Sequence, residues 1–219
     1  MNYIKKELFI KSMSIDYFLL EKEILHEVKH PFIIKMDYVV SDADNIYYFL
    51  EYLPTGSLFA HWVQTVRCTE DQVRFISAQL ILALGHLHAH GYAHRNLTIK
   101  NILFDGDGYV VLTGFSGAKK ISAGDGEKKR FFVEDCQDYY SPEMLSGDCQ
   151  DQTVDWWMLG ILMYRMLVGV SPFHELNEDD IPHAIMHKQV EFPGDLRHFQ
   201  IDISSEVQDI ISHLLDKSI

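Results

Sequence analysis

The residues with the most evident chemical potential lie between positions 86 and 116. His86 and His90 are four residues apart, a spacing that places two imidazoles on one face of a helix, where they can share a metal ion. Residues 92–96 (YAHRN) bring an imidazole, a guanidinium and an amide together, and Asn101 and Gly114 follow. An amide can hydrogen-bond but cannot take up a proton, so acid–base chemistry at Asn96 is disfavoured.

The composition indicates a globular domain with an acidic surface. Hydrophobic residues make up 47% of the 219 positions and charged residues 23%, which excludes long disordered or fibrous segments. Subtracting 32 acidic from 19 basic residues gives a net charge of −13, which argues against nucleic acid and anionic membrane surfaces as partners. The sequence shows no apolar run long enough to span a membrane, no signal-peptide pattern, and three widely separated cysteines. We therefore expect a cytoplasmic protein.

The first third of the chain is expected to hold one helix and two strands. Apolar residues recur at helical spacing from 15 to 28, and the pair His30-Pro31 is a stop signal. Apolar runs at 33–40 and 46–53, separated by the turn-forming residues 41–45, predict a strand–turn–strand unit. The expected result is a small sheet with one helix.

From Thr69 onward the pattern is mainly helical. Thr69 is a candidate N-cap for a helix that ends at Gly91. A short hairpin is expected between 102 and 113, with residues 105–108 (DGDG) as its turn. Further helices are predicted at about 154–168, 177–187 and 204–217.

Five strings in this order resemble the motifs of the eukaryotic protein-kinase domain, and within that family the AGC group, the relatives of the cyclic-AMP-dependent kinase. They are LEKEIL with HPFI in residues 20–33, YAHRN with Asn101, TGFS at 113–116, SPE at 141–143 and VDWWMLG at 154–160. Each string alone is a weak signal, but five in order over nearly the whole chain are specific. The resemblance implies a two-lobed α+β fold and a single domain over 1–219, with a partial N-lobe at 1–53 and a mainly helical C-lobe at 54–219.

Relative to that family, both ends of the chain look short. The resemblance implies an abridged N-lobe sheet without its first two strands and Gly-rich loop, and a C-lobe without its last helices. Glu143 would then lack the arginine with which it pairs in the family, and an unpaired buried carboxylate is costly.

The catalytic positions depart from the family. The aspartate that orients or deprotonates the substrate hydroxyl is replaced by Asn96, next to His94 and Arg95, and the magnesium-binding aspartate is replaced by Gly114. Of the metal-binding set only Asn101 remains. Phosphoryl transfer relies on metal-bound phosphates, and magnesium prefers carboxylate and phosphate oxygens. The resemblance therefore implies weak or absent magnesium binding.

The nucleotide site that the resemblance implies is vestigial. Counting back from Glu21, the expected ion-pair partner on the helix, places Asn2 at the position of the phosphate-binding lysine, with Lys5 or Lys6 as alternatives. The remaining members of the implied set are Glu51, Leu53 and Leu103.

The peptide side of the implied site is altered as well. Basophilic members of the family read arginines with acidic residues, and the matching positions here are Ser57, Lys100 and Arg165. The threonine that these kinases phosphorylate in the activation segment falls at about Phe132. Arg95 would therefore find no phosphate there.

A structural framework is retained. The stacked apolar spine of the family maps onto Leu25, Met36, His94 and Phe115, and Asp155 would anchor it beneath the backbone of His94. All five residues have chemistry that suits these roles.

We interpret the other reactive side chains, three histidines and one cysteine, as structural. His86, His88 and His90 lie near a helix C-terminus, which favours cations, and no third metal ligand is evident, so a solvated helix face is favoured over a metal site. Cys136 is interpreted as a plain thiol and not as a reactive group.

The resemblance implies a catalytically impaired kinase homologue, a pseudokinase, which acts as a binding, scaffold or allosteric module. No cofactor is expected. The expected partner is a protein, either a kinase or another signalling protein, bound through the helix near Glu21, the activation segment or the helix at 181–187. Two alternatives stay open: an unorthodox active serine/threonine kinase that uses ATP and magnesium, and a truncated or mispredicted fragment without a stable fold.

Overall fold

The computed structural model describes residues 2–5, 14–121, 137–148, 150–175, 177–193 and 202–217, with side chains from residue 17 onward. Phe132 and Cys136 lie outside the described residues, and Asn2 is described by its backbone alone.

The first third of the chain forms a three-stranded antiparallel sheet and one helix. Helix α1 spans Ser14–Glu27. The strands are β1 (Asn2–Lys5), β2 (Met36–Ser41) and β3 (Asn45–Leu50), in the order β1-β3-β2. The register places Asn2 opposite Tyr48 and Met36 opposite Leu50. This order puts the start of the chain beside the central strand.

The two predicted strands are shorter than expected. Ile33 and Ile34 do not extend β2, because their backbones pair instead with Leu112 of a distant hairpin. Both side chains are buried on that hairpin. The second strand ends at Leu50, so Leu53 lies in the connection that follows it.

The rest of the described chain is mostly helical, with two short pairs of strands. The helices are α2 (Leu58–Thr65), α3 (Glu70–Ala89), α4 (Pro142–Ser146), α5 (Thr153–Val168), α6 (Ile181–His187) and α7 (Ser205–Leu214). The strands are β4 (Tyr92–Ala93), β5 (Ile102–Phe104), β6 (Val110–Leu112) and β7 (Lys119–Lys120). Strand β4 pairs with β7, and β5 pairs with β6.

Helix α3 starts as its sequence predicts. The side chain of Thr69 accepts a hydrogen bond from the backbone of Gln72, and Gln72 reaches back to Thr69, which completes a capping box. The helix predicted at 177–187 is divided, because a 3₁₀ turn at Glu178–Asp180 precedes α6. The last predicted helix is shorter at its end than expected and stops at Leu214.

Helix α2 was not predicted from the sequence, although its signal was present. Ser57 is its N-cap and accepts a hydrogen bond from the backbone of Ala60. The helix is short and carries no charged residue, so the helical pattern is weak.

Helix α5 lies at the centre of the core and carries buried side chains on nearly all faces. Gly160 allows α7 to approach it, since a β carbon there would lie 2.8 Å from Leu215 and 2.9 Å from Leu214. The first turn of α5 holds Asp155, which points at the segment that follows α3. The core therefore fixes the base of the candidate site.

Candidate active site

Asp155 organises the loop after β4. Its carboxylate is fully buried and accepts three hydrogen bonds: from the backbone N–H of His94 at 2.7 Å, from the backbone N–H of Arg95 at 2.6 Å, and from Nε2 of His88 at 2.8 Å. Hydrogen bonds to an ionised acceptor are the strong ones. Arg95 has a φ of 58°, a left-handed conformation that these bonds help to hold.

Both ring nitrogens of His94 are engaged within the loop. Nε2 lies 2.9 Å from the carbonyl oxygen of Thr113 and donates to it, and Nδ1 accepts from the backbone N–H of Asn96 at 3.3 Å. The ring packs edge-on against Phe115 with centroids 4.8 Å apart. Burial lowers the pKa of His94, which keeps the imidazole neutral. His94 is thus part of the scaffold and has no free nitrogen with which to act as a base.

The guanidinium of Arg95 is buried against the segment that follows Phe115. Nε donates to the carbonyl oxygen of Gly117 at 2.9 Å, and Nη1 donates to Oε1 of Gln150 at 3.1 Å. Burial lowers the pKa of Arg95. The side chain therefore ties the loop to two later segments of the chain.

Asn96 uses its amide as a donor. Nδ2 lies 3.1 Å from the carbonyl oxygen of Gly114, and the residue is only 7% exposed. Its Oδ1 is buried and has no hydrogen-bond partner in the described part of the chain. An ionised carboxylate in the same place could only accept, so it would face the carbonyl oxygen without a proton between them.

Asn101 occupies the space beside Gly114. Its Nδ2 donates to the carbonyl oxygen of Asn96 at 2.9 Å, so the two asparagines are linked. Gly114 has a φ of 81°, and a β carbon there would lie 2.5 Å from Oδ1 and 2.7 Å from Nδ2 of Asn101. Real β carbons do not approach other atoms so closely. A side chain at position 114 would require Asn101 to move.

These three positions offer amides and a glycine, and no carboxylate. Magnesium takes carboxylate, phosphate and water oxygens in near-octahedral geometry. The residues present do not fit that ligand set, and the local geometry leaves no room for a longer side chain at position 114.

The predicted spine residues meet in the core. Leu25 and Phe115 are both 1% exposed and belong to the same buried cluster, and Met36 packs against it. Phe115 starts a short 3₁₀ turn, Phe115–Gly117, which contacts α1. The structure thus brings α1, β2 and the loop of His94 together.

Glu21 on α1 is largely buried, and no cation among the described side chains compensates its charge. Burial raises its pKa to about 6, and no hydrogen bond or ion pair reaches its carboxylate from the side chains that the structure describes. Burial of the Tyr48 hydroxyl raises its pKa and the charge of Glu21 raises it further, so the two side chains are near each other. The backbone of Asn2 lies opposite Tyr48, and its side chain is outside the described part.

The other three positions of the implied nucleotide site lie near the connection between the two parts of the fold. The carboxylate of Glu51 accepts from the backbone N–H of Lys35 at 3.1 Å and lies 3.9 Å from its ammonium. Leu53 and Leu103 pack against the main core, and Leu103 forms a bridge with Ser57. The two leucines share one apolar environment, while Glu51 is engaged with the β2 side.

A contact network that the sequence did not predict fastens α1 to β4 and β7. The ammonium of Lys120 lies 2.6 Å from Oε1 of Glu23. The hydroxyl of Tyr92 lies 2.8 Å from the same oxygen and 2.9 Å from Oε2 of Glu27. The only sequence signal was the pair of glutamates four residues apart on one face of α1. We call Glu23, Glu27, Tyr92 and Lys120 the α1 latch.

The three positions that match the peptide-reading acids of the family make other contacts. Nη1 of Arg165 lies 2.6 Å from Oδ2 of Asp138, and its guanidinium lies 5.2 Å from the ring centroid of Trp62 and 5.6 Å from that of Tyr139. Ser57 caps α2, and Lys100 is exposed. The cation of Arg165 is thus held by an acid and two aromatic rings of the same chain.

Two further predictions concern Glu143 and the histidines. Burial raises the pKa of Glu143, and no described cation offsets this shift.

His86 and His90 have ring centroids 4.5 Å apart, and the ring of His30 lies 5.0 Å from that of His86, so the structure brings in a third imidazole. Within the described ranges, no group of His, Cys, Asp or Glu side chains stands in a metal-binding arrangement.

Comparison with known proteins identifies the family of this chain. A family model described as the protein kinase domain matches residues 2–219. The chain belongs to the protein kinase family. The helices of this kinase domain within the described residues are too short or too polar to cross a membrane.

The most similar relatives of this kinase domain include serine/threonine kinases of the RAC group. It is 31% identical to a RAC family serine/threonine-protein kinase homolog of Dictyostelium discoideum over 99% of the chain and 47% of the relative. It is 31% identical to RAC-beta serine/threonine-protein kinase A of Xenopus laevis, over 99% of the chain and 43% of the relative. It is 33% identical to serine/threonine-protein kinase Sgk1 of Fundulus heteroclitus, over 98% of the chain and 48% of the relative. The kinase domain spans about half the length of these relatives, which are AGC-type kinases.

Proposed function

We propose that this kinase domain does not transfer phosphate and acts as a pseudokinase, a binding, scaffold or allosteric module in signalling. The observation that carries the proposal is the linked pair of amides. Asn101 donates to the backbone of Asn96, Asn96 donates to the backbone of Gly114, and the side chain of Asn101 fills the space beside that glycine. The resemblance to active kinases places carboxylates at positions 96 and 114.

The absence of a base at this position supports the proposal. Asn96 cannot accept a proton, and both nitrogens of His94 are already hydrogen-bonded. Loss of a general base typically slows a reaction by about 10²- to 10⁴-fold. Asp155 does not supply a substitute, since it is buried beneath the loop and already accepts three hydrogen bonds.

The same geometry argues against magnesium, and so against Mg-ATP as a cofactor. An amide at 101 and a glycine at 114 offer a hard cation one neutral side-chain oxygen, Oδ1 of Asn101, while Nδ2 of Asn101 donates to the carbonyl oxygen of Asn96. Glu21 adds to this argument, because its carboxylate has no described cation and carries a pKa of about 6. We propose that the domain needs neither ATP nor magnesium.

A scaffold role is supported by what remains ordered around the former catalytic loop. Asp155 still holds the backbone of His94 and Arg95, and the α1 latch fixes α1 against β4 and β7. The domain can therefore present α1 and the adjoining loop in one arrangement without a nucleotide. We propose that its partner is a protein, a kinase or another signalling protein, bound at α1, at the segment that leads into α4, or at α6.

Thermal unfolding with ATP, in the presence of magnesium or of EDTA, tests the proposal. The pseudokinase predicts no stabilisation by ATP in either condition. The alternative of an unorthodox active kinase predicts magnesium-dependent stabilisation of about 2.7 kcal/mol at a hundredfold excess of ATP over its Kd. Stabilisation without transfer of phosphate would indicate a nucleotide-sensing switch. A chain that shows no cooperative unfolding at all would support the third reading, a fragment without a stable fold.

A further inference from the structure

Three imidazole rings lie in a row where the end of α1 meets the end of α3. The centroids of His30 and His86 are 5.0 Å apart, and those of His86 and His90 are 4.5 Å apart. His30 belongs to the turn after α1, whereas His86 lies in the last turn of α3 and His90 follows it. The contact joins segments that are more than fifty residues apart in the chain.

The turn that carries His30 attaches α1 to the second hairpin. The carbonyl oxygen of Phe32 accepts from the backbone N–H of Leu112 at 2.9 Å, and the backbone N–H of Ile34 donates to the carbonyl oxygen of Leu112 at 3.0 Å. Ile33 is 1% exposed. The turn therefore connects the end of α1 to β6.

A proton on His30 would change the hydrogen bonding of that turn. Nδ1 of His30 accepts from the backbone N–H of Phe32 at 3.2 Å, and an imidazole nitrogen can accept only while it carries no proton. In the imidazolium both nitrogens are donors, so this bond would be replaced by two facing donors. The new charge would also stand next to the ring of His86.

The surrounding charged groups do not offset a charge on His30. The titratable groups on the adjoining elements are His26, Glu27 and Lys29 at the end of α1, His86, His88 and His90 at the end of α3, and Asp105, Asp107 and Tyr109 on the β5–β6 turn. Of these, only His86 acts on the pKa of His30, and it acts to lower it. Several are engaged elsewhere: Glu27 with Tyr92, Lys29 with the carbonyl oxygen of Leu25, and His88 with Asp155.

We propose that His30, His86 and His90 form a proton-sensitive junction, which loosens the attachment of α1 to the second hairpin at mildly acidic pH. The direction follows from linkage. Burial and the neighbouring His86 lower the pKa of His30 in the folded state, so the unfolded chain binds more protons. The stabilisation is complete above the ordinary histidine pKa of about 6.5 and is lost as the pH falls below that value. The junction gives a partner-binding module a way to respond to pH that does not depend on nucleotide.

The variant His30→Asn removes the titratable ring but keeps an acceptor for the backbone N–H of Phe32. An asparagine oxygen can accept from the backbone N–H two residues later, as Nδ1 of His30 does, but it does not titrate between pH 5 and 8. Urea unfolding of the wild type and of His30→Asn is measured at pH 7.5 and pH 5.5. We expect equal unfolding constants at pH 7.5. At pH 5.5 the constant of the wild type should rise several-fold more than that of the variant, up to about tenfold, because an unfolded histidine is then about 90% protonated.

Two further variants make the result specific. His86→Asn removes the neighbouring imidazole and should flatten part of the same pH dependence. His183→Asn is the matched control, because the rings of His183 and His187 form another tilted pair on α6, with centroids 4.6 Å apart, away from this turn. The proposal is overturned if the wild type and His30→Asn show the same pH dependence, or if His183→Asn flattens it to the same degree. Should His30→Asn fail to fold, an unchanged slope in His86→Asn would overturn it equally.

Discussion

Two buried carboxylates of this kinase domain, Asp155 below the catalytic loop and Glu21 in α1, have opposite surroundings. Asp155 is fully buried and accepts three hydrogen bonds. Glu21 is largely buried, meets no described donor or cation, and has its pKa raised to about 6. A buried charge with partners supports the fold, whereas one without partners destabilises it. The comparison shows one buried acid that holds the loop through three donors and one acid in α1 that meets no cation among the described side chains.

The loop after β4 shows a similar contrast between residues that hold the fold and residues at the catalytic positions of the family. Its structural members, His94 and Arg95, are held by Asp155 and by backbone carbonyls. The positions that match the catalytic carboxylates of the family, Asn96 and Gly114, carry neutral groups that are hydrogen-bonded to one another and to Asn101. This combination of a well-held loop and neutral groups supports the proposed scaffold role.

The largest effect is expected when Asp155 loses its charge. In Asp155→Asn one of the two accepting oxygens becomes a donor that faces the N–H groups of the loop, so we expect a loss of about 3–5 kcal/mol in unfolding free energy. Urea unfolding measures this loss. The control Asp179→Asn changes an exposed carboxylate on the turn before α6 and should stay within about 0.5 kcal/mol of the wild type. Equal effects in both variants would remove the basis of the comparison.

A carboxylate placed at position 114 should destabilise the domain. Gly114→Asp forces a β carbon into Asn101 and places a side chain at a φ of 81°, for an expected cost of about 3 kcal/mol. Gly106→Asp is the matched control, because a β carbon there meets no atom within 4 Å. Adding Asn101→Gly to Gly114→Asp should recover part of the loss. Unchanged thermal stability of Gly114→Asp alone would contradict the described packing.

Removing the charge of Glu21 should stabilise the domain. The raised pKa means that the folded state binds more protons than the unfolded chain between pH 4.5 and about 6, so the penalty grows through that window and is complete above it. A shift from 4.5 to about 6 corresponds to about 2 kcal/mol, and Glu21→Gln should gain about that much at pH 7.5 and little at pH 4. The comparison variant on the same helix is Glu23→Gln, which should lose stability because Lys120 and Tyr92 lower the pKa of Glu23. Shifts of the same sign in both variants would count against this account.

The smallest effect is expected at Asn96. Asn96→Asp places a carboxylate against the carbonyl oxygen of Gly114 in place of a donor, for a cost of about 1 kcal/mol at neutral pH. The cost should shrink as the pH falls and the new carboxyl group is protonated, since it can then donate. Unfolding measured from pH 7.5 to 4 tests this trend, with Asn96→Ala as a variant whose cost should not depend on pH.

Much of the helical framework could be predicted from the sequence, because its signals are local. The capping box at Thr69 and the apolar stripe of α3 are examples, and so is the nearly uniform burial of α5. The ends of the first strands could not be predicted, since Ile33 and Ile34 pair with Leu112, about eighty residues later in the chain. Helix α2 was missed because its cap at Ser57 precedes a run without charges.

The motif strings singled out residues that the structure brings together, but the geometry between them could not be predicted. Motif strings located Asn96, Asn101 and Gly114, and the residue types alone indicated the missing charges. The filling of the space at Gly114 by Asn101 depends on a left-handed φ that a string does not reveal. The α1 latch joins Glu23 to Lys120 across 97 residues, and such long-range pairs leave no periodic signal.

Phosphoryl transfer from ATP labelled at the γ-phosphate tests the central claim most directly. The purified domain is incubated with Mg²⁺ or Mn²⁺ and a generic basic peptide, and label is counted on the peptide and on the domain itself. This account predicts incorporation no greater than in the blank without protein, for the wild type and for Asn101→Ala alike. Metal-dependent incorporation that the wild type shows and Asn101→Ala loses would contradict it.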